Sequence, residues 1–158
     1  MRKYIIGHGP REVPAAEQGW LDLERRAQVE ITSEAEGYTI ESALIPGGTG
    51  SGWRAGQPGE QKIRLLFDEP LKLRRIHLVF QEDEQERTQE FVLRWSPDGG
   101  QSYREIVRQQ YNFSPPGTTR EVEDYSINLD GVTILELKII PNINRGRARA
   151  SLAELRVA

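Results

Sequence analysis

The stretch Phe91-Val92-Leu93-Arg94-Trp95-Ser96-Pro97-Asp98-Gly99-Gly100-Gln101-Ser102-Tyr103 decides the fold class of this chain. Apolar side chains recur at every second position from Phe91 to Trp95, which is the period of a strand with one buried face. Pro97 presets φ for a turn, and the two glycines after Asp98 accept positive φ. The stretch therefore predicts an antiparallel hairpin, with a return strand from about Tyr103 to Gln109.

The same period of two continues on both sides of this hairpin. Turn signals at Asp68-Glu69-Pro70 and Asp130-Gly131 are expected to separate neighbouring strands. Apolar alternation predicts further strands at 27–31, 62–67, 76–80, 122–129, 135–139 and 155–157. About eight antiparallel strands without α/β alternation predict an all-β chain that folds as a single β-sandwich jelly roll. We assign residues 20–158 to this domain and residues 1–19 to an N-terminal segment.

Composition excludes several classes of function. The net charge is −3, with 21 basic against 24 acidic residues, so no general positive field would attract nucleic acid. There is no cysteine, which removes disulfides and thiolate chemistry. No apolar stretch has the length of a membrane span, and the N-terminal apolar run is too short for a secretory signal. A cytoplasmic location is therefore expected.

Three long connections are the expected places for binding, because loops on a rigid sandwich commonly carry function. They run over 34–59, 81–90 and 111–120. The last contains Tyr111, Asn112 and Phe113 before Ser-Pro-Pro-Gly, and the first contains Trp53-Arg54. A sugar site needs an aromatic face for the pyranose ring and planar donors for its hydroxyls. Both loops supply that pair of residue types.

The order of several motifs resembles the discoidin, or coagulation-factor C-type, family of galactose-binding-like domains, which includes many carbohydrate-binding modules. The motifs lie at 42–44 and 49–55, at 63–70, at 91–103, and at 150–157. The resemblance implies a galactose-binding-like sandwich that binds a ligand through its end loops and carries out no reaction itself. Carbohydrate is the implied partner. The predicted ligand-binding residues are Trp53, Arg54, Glu86, Arg87, Tyr111, Asn112, Phe113 and Arg145.

The resemblance also raises the question of a structural calcium ion. Relatives often carry Asp or Asn in the loop before the tryptophan, whereas residues 45–50 of this chain contain no carboxylate. Calcium takes six to eight oxygen ligands. Thr49 and Glu154, with backbone carbonyls, are the candidate ligands, and no other cofactor is implied.

Other interpretations of these residues stay open. Trp53 could be a core residue, and Arg54 and Arg87 could be ion-paired. Arg145, Arg147 and Arg149 alternate, so they could instead form a docking surface of a protein-interaction module together with the acidic loop Glu82–Glu86. Catalysis has little support, because the two histidines, His8 and His77, are far apart and no nucleophile, base and acid form a recognisable set.

Overall fold

The computed structural model describes residues 19–47 and 50–158, and antiparallel strands dominate it. The elements in chain order are α1 (Leu23–Arg26), β1 (Ala27–Ile31), α2 (Ile40–Leu44), β2 (Trp53–Arg54), β3 (Gln61–Gln81), β4 (Arg87–Ser96), β5 (Arg104–Phe113), β6 (Arg120–Ile140), β7 (Ser151–Leu152) and β8 (Glu154–Val157). In the described part of the chain the two helices have only four and five residues, too short to cross a bilayer. Of the predicted N-terminal segment, all but Gly19 lies outside the described residues.

Two long strands, β3 and β6, each contribute to both layers of a sandwich. Residues 61–66 of β3 pair with residues 134–139 of β6, and residues 63–67 of β3 pair with β1. β4 and β5 continue that layer beyond β6. Residues 71–81 of β3 pair with residues 120–132 of β6 and with β8, which forms the second layer. The predicted all-β sandwich is therefore confirmed.

The core lies between these two layers. Phe80 of the second layer contacts Phe91 of the first, with ring centroids 5.2 Å apart. Alternate apolar residues of β3, β4 and β6 belong to the same core, each at most 1% exposed: Ile63, Leu65, Ile76, Leu78, Leu93, Leu135, Leu137 and Ile139. Full burial of such a side chain contributes about 1.5–3 kcal/mol. The predicted period of two thus corresponds to one buried face on each layer.

The strand boundaries differ from the prediction at two places. Residues 68–70 and 130–131 were expected to be turns between separate strands, but β3 and β6 continue through them. Shifts of register between Leu66, Leu71, Leu73 and Arg75 absorb the unpaired residues and bend the ladder from one layer into the other. The turn-forming residues therefore mark a corner of the sandwich. Val122, predicted with the apolar face of its strand, is 48% exposed on the outer face.

The bend has a consequence for the position of the loops. Because β3 returns on itself, its two ends Gln61 and Gln81 lie at one end of the sandwich, where they pair near the ends of β6. The start of β4 and the end of β5 join them there, since Arg87 pairs with Phe113. The connections at this end, which we call the loop end, are 32–60, 82–86, 114–119 and 141–150. The three long connections predicted from sequence come together here.

Candidate functional site

A two-stranded ladder at the loop end separates a buried tryptophan from an accessible arginine. Trp53 pairs with Leu152, and Arg54 pairs with Ser151. Trp53 and Leu152 are 1% and 0% exposed, and the Trp53 indole donates to the Ser33 carbonyl at 3.0 Å. Because side chains alternate across a ladder, Arg54 and Ser151 project to the opposite face, toward solvent.

The segment that precedes β7 adds two more arginines to that outer face. Arg147 and Arg149 are exposed, whereas Ala148 between them is buried. The Ala148 carbonyl accepts from the Gly59 amide at 3.2 Å, which fixes the segment beside the 53–59 loop. The side chains line a cleft of about 170 Å³, which we call the arginine cleft; its residues are Arg54, Glu82, Glu84, Gln85, Arg147, Arg149 and Ser151. A contiguous hollow of about 220 Å³ extends it toward Tyr38, Ser51 and Ala153.

The guanidinium groups of this cleft have few partners among the described residues. The Arg54 guanidinium carbon lies 4.8 Å from the centroid of the Tyr38 ring, which holds that side chain in place. Within residues 19–47 and 50–158, no carboxylate oxygen lies within 4.0 Å of a guanidinium nitrogen of Arg54, Arg147 or Arg149. The cleft therefore presents planar hydrogen-bond donors to a ligand.

A second depression lies on the other side of the 82–86 loop. It has a volume of about 560 Å³, and we call it the asparagine groove; it is lined by Glu86, Arg87, Thr88, Asn112, Phe113, Ser114, Thr118, Asn142 and Asn144. The Thr88 hydroxyl donates to the Asn112 side-chain oxygen at 2.7 Å, which orients that amide. The groove brings together four predicted site residues, namely Glu86, Arg87, Asn112 and Phe113.

Arg87 connects the two depressions from beneath. It is 3% exposed, and its Nε donates to Glu82, which lines the arginine cleft, at 2.7 Å. Its Nη1 donates to the Gln89 side chain at 3.0 Å and to the Pro141 carbonyl at 2.9 Å. Its guanidinium carbon lies 4.7 Å from the centroid of the Phe113 ring. Arg87 therefore ties two loop-end connections, 82–86 and 141–150, and the end of β5 to one buried point.

The charge of Glu82 is committed to this network. Partial burial opposes ionisation, but the hydrogen bond from Arg87 and the amides of Glu84 and Gln85 hold the pKa of Glu82 below its usual value. Glu82 therefore stays ionised and is largely neutralised by Arg87, although its carboxylate lines the arginine cleft.

The network continues between the layers to a buried carboxyl group. Gln89 donates to Glu121 Oε1 at 3.2 Å, and Glu121 is 1% exposed. Burial, followed by the hydrogen bond and charge of Glu123, raises the pKa of Glu121 to about 8. Burial and the hydrogen bond to Glu123 also raise the pKa of Tyr125. The native state therefore holds a proton on Glu121 well above the pH at which the unfolded chain releases it.

Glu121→Gln is expected to flatten the pH dependence of stability. Since the pKa of Glu121 is 4.5 when unconstrained and about 8 when folded, its contribution is complete below pH 4.5 and is lost as the pH rises to 8. Glutamine keeps the hydrogen bond from Gln89 and has no charge. The free energy of unfolding of the variant, relative to that of wild type, should therefore rise by about 1–3 kcal/mol from pH 5 to pH 8. Urea unfolding at both pH values measures this difference. Glu69→Gln, at an exposed corner, is the control, and equal pH slopes for wild type and Glu121→Gln would refute the expectation.

The remaining predicted residues occupy separate positions. Tyr111 is half-buried: its hydroxyl donates to the Arg120 carbonyl at 2.9 Å, and its ring packs on Phe113 at 5.1 Å. Phe113 itself is 0% exposed, so this loop does not present the open aromatic face that the sugar hypothesis used. Arg145 is exposed and lines a third hollow beside Pro141 and Asn142. The roles assigned to these residues in ligand binding stay predictions.

The structure bears only in part on the calcium prediction. Thr49 lies outside the described residues. The Glu154 carboxylate on β8 lies 3.4 Å from His77 Nε2, and His77 Nδ1 lies 2.7 Å from Asp124. Across the described ranges, no group of three or more histidine and carboxylate side chains is arranged to hold a metal ion.

Sequence reasoning had named Arg147 and Arg149 only as part of a charged stripe, and it had not named Tyr38. The alternation of arginines with small residues over 145–150 was a local signal that they share one exposed face. Nothing local indicated that Arg54 and Tyr38 lie beside that face. The β2–β7 ladder supplies this proximity.

No protein-family model and no curated protein sequence matches the chain. Solved structures do match it. The family 32 carbohydrate-binding module of Clostridium perfringens NanJ, in complex with galactose, is 15% identical, with a TM-score of 0.60 over 83% of this chain and 92% of that one. CpGH89CBM32-5 from Clostridium perfringens, in complex with GalNAc-β-1,3-galactose, is 18% identical, with a TM-score of 0.62 over 87% and 98%.

A third similar structure is the family 32 module of AlyQ in complex with 4,5-unsaturated mannuronic acid. It is 16% identical and has a TM-score of 0.60 over 84% of this chain and 95% of that one. Each of these domains is matched over nearly its whole length, so the likeness covers the complete sandwich. The chain therefore has the galactose-binding-like β-sandwich fold of the family 32 carbohydrate-binding modules, the fold that its motifs resemble.

Proposed function

We propose that this chain is a non-catalytic carbohydrate-binding module and that its glycan ligand lies in the arginine cleft at the loop end. The observation that carries the proposal is the set of three guanidinium groups, on Arg54, Arg147 and Arg149, that line one cleft without a carboxylate partner among the described residues. The half-buried Arg54 gains most from a ligand that supplies an acceptor, and the exposed Arg147 and Arg149 add charged donors at the rim of the same cleft.

The composition of the cleft suits a ligand rich in hydroxyl groups. Sugar hydroxyls both donate and accept, and the cleft offers guanidinium donors beside the acceptor oxygens of Glu84, Gln85 and Ser151. Arg54 is held by the Tyr38 ring, so little side-chain freedom is lost when it binds. Recognition would rest mainly on planar hydrogen bonding, because Trp53 is buried and one face of Tyr38 is covered by Arg54.

The structural neighbours support the same class of ligand. They are carbohydrate-binding modules, and those compared above hold galactose, a GalNAc-galactose disaccharide and an unsaturated mannuronic acid. The fold by itself does not specify a ligand, so the proposal depends on the cleft. Arg87 and Phe113, which are buried, take the role of supporting residues that hold the surrounding loops.

A glycan microarray tests the proposal, with wild type compared with Arg54→Ala and Arg149→Ala. Loss of one charged hydrogen-bonding group is expected to weaken binding about tenfold. Arg120→Ala is the matched control, since Arg120 is an exposed arginine near the loop end that lines neither depression. Its binding should equal that of wild type.

Asn112→Ala distinguishes between the two depressions. If Asn112→Ala abolishes binding and Arg149→Ala does not, the ligand lies in the asparagine groove and the assignment to the arginine cleft is wrong. If the wild-type protein binds no glycan at high concentration, the carbohydrate function itself is refuted.

A further inference from the structure

We propose that the glycan bound in the arginine cleft carries a negative charge, as a carboxylate or a sulfate ester, and that Arg147 and Arg149 bind this group. The inference rests on the proposed carbohydrate function and specifies its ligand class. It follows from the charge balance of the cleft, from the geometry of its arginines and from the scarcity of exposed aromatic faces.

The charge balance of the cleft is opposite to that of the whole chain. The chain has a net charge of −3, but the cleft is lined by three arginines and two glutamates. Glu82 is already paired with Arg87 at 2.7 Å, which leaves Glu84 as the one uncommitted carboxylate among the described residues that line the cleft. In the contiguous hollow, Asp83 accepts a hydrogen bond from Gln81 at 2.8 Å. The unpaired positive charges therefore outnumber the unpaired carboxylate in the cleft.

The geometry suits a small planar or tetrahedral anion. Arg147 and Arg149 lie on either side of the buried Ala148, and both line the cleft. Two guanidinium groups that line one cleft can bind the same anionic group, and guanidinium binds carboxylate or phosphate-like oxygens in a bidentate manner. Backbone hydrogen bonds from Gly59 to Ala148 and from Ala55 to Ala150 hold the segment in place.

Neutral sugars are usually held by an aromatic ring under their C–H face. The described aromatic residues nearest the cleft line the contiguous hollow: Trp53 is 1% exposed, and the Tyr38 ring lies under the Arg54 guanidinium. A cleft with several charged donors and little open aromatic surface should therefore discriminate by charge. A neutral ligand would leave the donors of Arg147 and Arg149 without acceptors beyond hydroxyl groups and water.

Isothermal titration calorimetry with four defined oligosaccharides tests this inference. The probes are an oligogalacturonate, its fully methyl-esterified form, a sulfated galacto-oligosaccharide and the same galacto-oligosaccharide without sulfate. We expect each acidic probe to bind about tenfold or more tightly than its neutral counterpart. The affinity for acidic probes should fall between 50 and 300 mM NaCl, because salt screens charges at an exposed site. The better acidic probe identifies the anionic group as carboxylate or sulfate.

Variants locate the effect. Arg147→Ala and Arg149→Ala should each remove most of the acidic preference, whereas Arg120→Ala, with the same change of charge outside the cleft, should keep it. Glu84→Gln should increase affinity for the acidic probes, since it removes the uncommitted carboxylate. Circular dichroism and unfolding curves that match wild type would show that these surface variants are folded.

The outcomes separate this inference from the proposed function. Equal binding of acidic and neutral probes would overturn the inference and leave the carbohydrate function standing. Binding of poly-glutamate as tight as that of the acidic oligosaccharides would also overturn it, because the cleft would then be a general anion surface. If none of the four oligosaccharides binds and the glycan microarray is also negative, both proposals fall.

Discussion

Arg87→Met is expected to lower the free energy of unfolding by about 3–5 kcal/mol, the usual cost of removing one partner of a buried ion pair. The side chain is 1% exposed and forms hydrogen bonds to Glu82, Gln89 and the Pro141 carbonyl. Methionine fills the volume of the side-chain stem, but it loses the contact of the guanidinium with the Phe113 ring and donates to none of these acceptors. The acceptors would then be left partly buried without a donor.

Urea unfolding followed by tryptophan fluorescence measures this loss. Arg147→Met is the matched control: it makes the same substitution at an exposed position of the loop end and should change stability by no more than about 0.5 kcal/mol. If Arg87→Met lowers the free energy of unfolding by less than about 1 kcal/mol, which is the range of an exposed ion pair, the hydrogen bonds of Arg87 do not stabilise the fold as expected.

Glu136→Ala is expected to destabilise the protein by about 3 kcal/mol, because it breaks charged hydrogen bonds in the first layer. The Glu136 side chain is 0% exposed although it lies on the outer face of the sheet, since two cross-strand arginines cover it. Arg94 donates to Oε1 at 2.9 and 2.6 Å, and Arg64 donates to Oε2 at 2.8 Å. The substitution would leave both arginines without their shared acceptor.

The pH dependence gives this expectation a second readout. Burial opposes ionisation, but the bonds from Arg64 and Arg94 hold the pKa of Glu136 below its usual value. A carboxyl group whose pKa is lowered by folding stabilises the native state at pH values above its unfolded pKa. This stabilisation is lost as the pH falls through the folded-state pKa. The difference between wild type and Glu136→Ala should therefore narrow below about pH 4.

Glu60→Ala is the control for Glu136→Ala. Glu60 is an exposed partner of Lys138 at 3.9 Å, and such surface pairs contribute about 0–1 kcal/mol. Thermal unfolding at pH 7 and pH 3 would check both variants. If Glu136→Ala unfolds with wild-type stability at pH 7, the two arginines do not depend on this carboxylate.

The hairpin at residues 91–103 is the best case of a structure determined by local sequence. The alternation of Phe91, Leu93 and Trp95 does define a buried strand face, and Gly99 and Gly100 do adopt positive φ, at 70° and 95°. Asp98 fixes the turn by accepting hydrogen bonds from the Ser102 hydroxyl and amide and from the Ser96 hydroxyl. The same hydrogen bonds lower the pKa of Asp98 to about 2. Each of these features joins residues within a few positions of one another, so pattern and residue type sufficed to predict the hairpin, although not its individual hydrogen bonds.

The corners of the sandwich were not predictable in the same way. Asp68, Pro70 and Gly131 have the chemistry of turn residues, and that chemistry alone does not tell a strand end from a bend. Pairing between strands that are distant in sequence makes these residues a bend, because β3 and β6 remain hydrogen-bonded to each other on both sides of the corner. The cooperative ladder of two 21-residue strands outweighs the local preference for a turn.

By itself the sequence determined the strand period, the hairpin and the sandwich, together with the prediction that function lies in long loops, because these depend on local residue types and on how apolar faces alternate. Only the tertiary structure decided which loop residues meet. It buried Arg87 and Phe113 beneath the loop end, and it placed Arg54 beside Arg149, since a site assembled from separate loops depends on pairing between distant strands. The physical reason is that hydrophobic alternation is encoded locally, whereas charge and hydrogen-bonding sites form from side chains that only the folded layers bring together.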